Sequence, residues 1–148
     1  EYRKLETTIL YQTFTALNDF VIRNTQPIHT IRFKITGTNK LFIGDGVVIS
    51  TSFGSSGYFK SITGKIFEKN WGLAFNNTTE KLNPLFFKEK DIATFKLVRG
   101  TATLSFDNNP DILNIDEESE LTFKLSDQVA KIYEPQSLRC PNCKVVRG

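Results

Sequence analysis

The stretch Gly44-Asp45-Gly46-Val47-Val48-Ile49-Ser50-Thr51-Ser52-Phe53-Gly54-Ser55-Ser56-Gly57-Tyr58 concentrates the groups in this chain best suited to hold a nucleotide. Val47, Val48 and Ile49 are consecutive and β-branched, the pattern of a strand covered on both faces. Small hydroxyl residues and glycines follow, so the strand must run into a tight turn. Gly54 lets the backbone turn sharply or approach a ligand closely. Ser55 or Ser56 can cap a following helix, whose leading N–H groups would then face a phosphate, ribose or purine edge. Asp45, just before the strand, adds an acceptor for a ribose hydroxyl. An ordinary strand-turn-helix corner has the same composition, and these residues alone leave both readings open.

Other chemistry-bearing residues are sparse. Asn18-Asp19 interrupts two apolar stretches, as a β-bulge, a turn or a polar site would. His29, the only histidine, follows Pro27-Ile28 at a loop entry and has no evident nucleophile partner, so it reads as a surface residue. Cys140-Pro141-Asn142-Cys143 offers two thiolates at metal-ligand spacing, whereas structural zinc wants four ligands. An inert tail, a zinc knuckle completed by a second copy, and a redox pair all stay open there. Nothing in two cysteines suggests a disulfide framework.

The first stretch resembles the "DG-apolar-apolar-x-STPTGSTAY" signature of the NAD kinase family. Asp45-Gly46, Ser50-Thr51, Gly54-Ser55 and Tyr58 match it directly, while Ser56 stands for Thr and Gly57 for Ala. Upstream, Ala16-Leu17-Asn18-Asp19-Phe20-Val21-Ile22 is similar to the family's "ALNEVVI" segment, at a similar spacing. Downstream, Leu104-Ser105-Phe106-Asp107 resembles its "vsiDG" hairpin, and Gly64 falls where the family has a glycine pair. The ordered matches run through nearly the whole chain.

That resemblance implies the C-terminal domain of an NAD kinase-like enzyme, which phosphorylates the adenosine ribose 2′-hydroxyl of NAD to give NADP. It assigns Asn18 to the adenine and Asp19 to the ribose. Tyr58 would stack on the substrate, with Ser56, Gly57 and Ser61 around the same pocket. Asp45 would meet the nicotinamide side, often of a neighbouring subunit, which makes a homo-oligomer expected. The family's "GGDGT" loop, which brings phosphates, Mg²⁺, the ATP or polyphosphate donor and the general base, is not in this sequence. No catalytic residue is therefore expected here. Because the chain starts at Glu1 and has no methionine, it is read as a piece of a longer protein, cytoplasmic, whose own N-terminal domain carries that loop. Ser52 and Phe53 replace the family's Pro-Thr, Asp19 replaces Glu, and Asn108 replaces a glycine; these departures bear on substrate more than on fold. Phe53 as an apolar wall keeps a lipid or sugar kinase-like relative in view. A non-catalytic oligomerising domain with Cys140 and Cys143 as a metal clip is the rival from another class.

Composition agrees with a single soluble-type domain. The 148 residues can bury a core, and with 39% hydrophobic and 24% charged residues the chain is globular rather than disordered. No apolar run approaches the roughly 20 residues that span a bilayer, so no membrane is expected. A net charge of +3 is too small to argue for nucleic acid.

Thirteen phenylalanines and many β-branched residues favour strands. Thr30–Thr36 alternates most clearly, with Ile31, Phe33 and Ile35 facing in, and Gly37-Thr38-Asn39 turns it onto Lys40–Ile43. Further strands are expected at Leu5–Leu10, Phe14–Leu17, Phe20–Arg23, Trp71–Phe75, Ala93–Val98, Thr101–Phe106, Glu120–Leu125 and Val129–Tyr133. One short helix is expected from Ser55 to about Ile66. The fold class is mainly all-β: a two-sheet antiparallel β-sandwich over residues 1–133, with 134–148 as an extended tail.

Overall fold

The structure, a computed structural model, describes residues 2–107, 109 and 111–131. The chain forms β1 (Tyr2–Ile9), β2 (Gln12–Ala16), β3 (Asp19–Asn24), β4 (Ile31–Ile35), β5 (Phe42–Gly44) and β6 (Gly46–Thr51). A 3₁₀ turn (Phe53–Ser56) and a short helix α1 (Tyr58–Thr63) follow. Then come β7 (Trp71–Asn76), β8 (Leu85–Phe87), β9 (Ala93–Arg99), β10 (Ala102–Phe106), β11 (Leu113–Ile115) and β12 (Glu120–Ala130). Two six-stranded sheets result, ordered β2-β1-β12-β9-β4-β5 and β11-β10-β3-β6-β7-β8. The pairings are antiparallel. The expected two-sheet sandwich with one short helix is what forms.

Alternation along each strand places the core. Phe20 and Ile22 of β3, Val47 and Ile49 of β6, and Phe33 and Ile35 of β4 are buried between the sheets. Phe33 stacks on Phe42, Phe75 and Phe95, with ring centres 5.0–6.4 Å apart. Phe20 meets Phe123 edge-on at 5.5 Å and so joins the sheets. Every residue of β6 is buried, because its outer face is covered too. There Val48 and Ala74 pack under Phe59 of α1, with Val21, Tyr58, Ile62 and Phe67 around them. Burying each such apolar side chain contributes about 1.5–3 kcal/mol, which is how a helix of six residues is held in place.

Four expectations are corrected. The two strands expected at Glu120–Leu125 and Val129–Tyr133 are one, β12, over its described length. The polar Ser126-Asp127-Gln128 stretch that suggested a break lies opposite a register shift between Arg3 and Leu5 of β1. The Arg3 guanidinium donates to the Ser126 carbonyl at 2.9 Å and so supports the irregularity. β8 and β11, three residues each, were not expected. The helix is shorter than Ser55–Ile66, preceded by a separate 3₁₀ turn and ended at Gly64 in the left-handed conformation. No serine caps it: Gly57 is the N-cap, and the Ser55 hydroxyl instead donates to Ser52 O at 2.9 Å and Phe67 O at 3.1 Å. The Cys140 and Cys143 pair, residues 134–148, and the Asn108 departure lie outside the described residues.

Candidate functional site

Two of the segments singled out in the sequence meet at the end of β3. Thr51 closes β6 facing the Leu17-Asn18-Asp19 turn. Its hydroxyl donates to Leu17 O at 2.6 Å, and its N–H donates to Asn18 O at 3.0 Å. That same hydroxyl accepts from the Gly54 N–H at 3.0 Å, which draws the 3₁₀ turn onto the site. Gly54 is required there: a Cβ would stand 2.2 Å from Asn18 O. The hydroxyls of the Ser-Thr-Ser run are thus mostly spent on building the corner.

From the other side, Asp107 at the end of β10 grips the same turn. Its carboxylate accepts the backbone N–H of Leu17 at 2.6 Å, of Asn18 at 2.7 Å and of Asp19 at 3.3 Å. Charge-assisted bonds of this kind are the strong ones. The Asp107 charge then lies beside the half-buried Asp19. Burial first, and that neighbouring charge second, push the Asp19 carboxyl up from 3.8 to about 6.

An open groove of about 1040 Å³ runs from this point over the outer face of the second sheet. Strand alternation predicts its lining. In β3, Phe20 and Ile22 face the core, so Asp19, Val21 and Arg23 face out. Thr103 and Ser105 of β10 lie opposite Arg23 and Val21. Tyr58 and Ile62 of α1 form one wall; Phe106 and Ile112 contribute on the side of the β10–β11 connection. Three cross-strand rows follow. The first is acidic, with Asp107 beside Asp19; the second, Ser105-Val21, is small and uncharged and continues into Val48 and Ala74 beneath α1; the third, Thr103-Arg23-Gly46-Asn76, is polar and cationic.

Of the predicted site residues, Asn18, Asp19, Ser56, Gly57, Tyr58 and Ser61 all line this groove. Asp45 is not among its lining residues. It sits at the opposite end of β6, where its carboxylate accepts the side-chain amides of Asn24 at 3.1 Å and Asn77 at 3.0 Å. Phe53 is also elsewhere: its ring packs against Tyr2, 5.0 Å between centres, so it forms no wall of the groove. His29 is exposed, in keeping with its reading as a surface residue. Sequence reasoning missed Asp107 as a site residue because its Asp-Asn-Asn-Pro context reads as a turn. Arg23, Thr103 and Asn76 were missed as well, although period-two alternation from Asp19 would have placed Val21 and Arg23 on the same face. A much smaller hollow of about 80 Å³ lies between Lys40, Phe42, Thr79 and Glu80, around the Lys40–Glu80 ion pair.

No protein-family profile matches the sequence, and no curated protein matches it. Solved structures do match the fold. Yeast NADH kinase complexed with NADH is similar with a TM-score of 0.75 at 20% identity, over 85% of this chain and 41% of that one. An NAD kinase from Archaeoglobus fulgidus in complex with ATP is similar with a TM-score of 0.66 at 16% identity, over 85% of this chain and 51% of that one. The fold is therefore that of an NAD kinase-like domain, and the chain spans about half the length of the kinases it resembles.

Proposed function

We propose that this chain is the substrate-binding domain of an NAD kinase-like phosphotransferase, which adds a phosphoryl group to the adenosine ribose 2′-hydroxyl of NAD. One observation carries the reading. Segments up to about forty positions apart, chosen for their likeness to one nucleotide site, line one groove on a fold shared with NADH and NAD kinases. Asn18 supplies amide groups for the adenine edge. Asp19, ionised above about pH 6, accepts from a ribose hydroxyl. Tyr58 gives an aromatic face for stacking, and Ser56 and Ser61 offer hydroxyls beside it.

The groove does not fit Mg²⁺. Both Asp107 oxygens are taken up by backbone N–H groups, and the described residues hold no cluster of three or more acidic, histidine or cysteine groups suited to a metal. The metal, the ATP or polyphosphate donor and the general base are accordingly assigned to an N-terminal domain with a GGDGT-type loop. Asp45 keeps its role toward the nicotinamide only across a homo-oligomer interface. We place the enzyme in the cytoplasm; no helix among the described residues is long and apolar enough to cross a membrane. With Phe53 turned away from the groove, the lipid or sugar kinase-like alternative has lost the residue that argued for it.

Titration of the full-length protein with NAD and NADH, followed by an assay of ATP- and polyphosphate-dependent NADP formation, tests the proposal. Saturable binding that Asp19→Ala and Tyr58→Ala weaken at least about tenfold is expected. Failure to bind either dinucleotide overturns it.

A further inference from the structure

We infer that Arg23 is the residue that receives the diphosphate of the dinucleotide, and that it fixes which way round the substrate lies. The inference rests on the proposed nucleotide reading of the groove and adds its polarity. Among the described residues that line the groove, Arg23 is the only cation. It is exposed, and among the described residues it has no ion-pair partner. Its fold role is therefore small, while a planar guanidinium with free donors is the side chain best matched to phosphate oxygens.

Its placement is as informative as its charge. Arg23 stands four residues along β3 from Asp19 and on the same face, a span of about 13 Å between Cα atoms. Between them lies Val21, whose cross-strand neighbours Ser105 and Val48 are uncharged. Across the strands, Thr103 pairs with Arg23, and Gly46 separates Arg23 from Asn76 without adding a side chain. Thr103 and Asn76 thus add neutral donors on both sides of the guanidinium. At the opposite end the two carboxylates, Asp19 and Asp107, repel phosphate and favour hydroxyl donors. A nucleotide whose ribose lies against Asp19 can extend its diphosphate only away from those carboxylates, along Val21, toward Arg23. The reverse placement sets diphosphate beside Asp19 and leaves Arg23 without an anion.

Arg23→Gln and Arg23→Lys in the full-length protein, titrated with NAD and with adenosine, test this. The expected result is a loss of about ten- to hundredfold in NAD affinity for Arg23→Gln, a smaller loss for Arg23→Lys, and unchanged adenosine affinity. NAD binding by the parent should weaken with added salt, and binding by Arg23→Gln should do so less. Unfolding midpoints of both variants should match the parent. Equal NAD affinity in Arg23→Gln and parent overturns the inference and leaves the nucleotide reading standing. A matching loss for adenosine also overturns it, since no diphosphate is then involved. A parent protein that binds neither NAD nor adenosine overturns both.

Discussion

Asp19 and Asp107 are two carboxylates with opposite employment. Asp107 is consumed by the backbone of residues 17–19, and Asp19 is left with a raised affinity for its proton. The consequence for stability has a definite sign. Between the ordinary carboxylate range near 4 and about 6, the folded state binds more protons at Asp19 than the unfolded chain does. Stability contributed by this group therefore falls as pH rises through that window and is level above it. Asp19→Asn removes the penalty. We expect it to be more stable than the parent by about 1–2 kcal/mol at pH 7, after discounting for partial exposure, and equal to it at pH 4. Urea unfolding at both pH values checks this; a variant less stable at pH 7 contradicts it. Asp107→Asn acts differently. Loss of its charge-assisted bonds should cost about 1.5–3 kcal/mol, yet the Asp19 carboxyl should then titrate lower, because the neighbouring charge has gone. An NMR titration of Asp19 that is unchanged in Asp107→Asn would remove Asp107 from the account of the shift.

The β1–β2 hairpin shows where local sequence and fold disagree. Its two turn residues, Leu10 and Tyr11, both have positive φ, 48° and 67°, and both are almost fully exposed. A two-residue hairpin turn with positive φ at both positions wants Asn-Gly, and each bulky residue there costs about 1–2 kcal/mol. Replacing Leu10-Tyr11 by Asn-Gly should accordingly stabilise the fold by about 1–3 kcal/mol in chemical unfolding, and a neutral or negative effect would refute the turn geometry. The two strands were expected in the sequence at Leu5–Leu10 and Phe14–Leu17, but their pairing as a hairpin was not, since the turn carries none of the residues that mark turns. The same kind of reason explains the other differences. Leu85–Phe87 does not alternate, because Phe86 packs outward on Phe59 and Phe67 and so is apolar like its neighbours. Leu113–Ile115 is too short for a period to show. Ser126-Asp127-Gln128 reads as a break because the stabilising partner is Arg3, 123 residues away in sequence. By contrast, β4 and the Val47–Ile49 centre of β6 were readable, since their patterns are set by burial on one face and on both faces respectively, although Ser50 and Thr51 extend β6 beyond the expected turn. At the site, the corner from Thr51 to Tyr58 was readable through its small residues, whereas the use of Thr51 and Ser55 hydroxyls for scaffolding was not. Gly54→Ala tests that scaffold: its Cβ meets Asn18 O, so a loss of about 1–3 kcal/mol together with weakened NAD binding is expected.

On the proposed reading, the whole molecule supplies one half of a phosphoryl transfer. Such reactions depend on holding donor and acceptor in line and on neutralising the charge that moves between them. On that reading the groove provides for the acceptor: a carboxylate end for hydroxyls, an apolar floor, an aromatic wall and, among the described residues, one guanidinium. It provides little for the donor. Among the described residues, two carboxylates lie together at one end, one of them held by backbone N–H groups, and a single arginine stands about 13 Å away along the strand. A triphosphate brought to the 2′-hydroxyl would meet net negative charge and no glycine-rich backbone cradle among the described residues. Binding and turnover should therefore separate. The 148-residue chain should bind NAD, with affinity that rises as pH passes 6 and Asp19 ionises. It should form no NADP from ATP or polyphosphate with Mg²⁺ present, while the full-length protein does so under the same conditions. Steady NADP production by the purified chain, free of contaminating kinase, would show that a complete phosphate site is present in these 148 residues and that the division of labour proposed here is wrong.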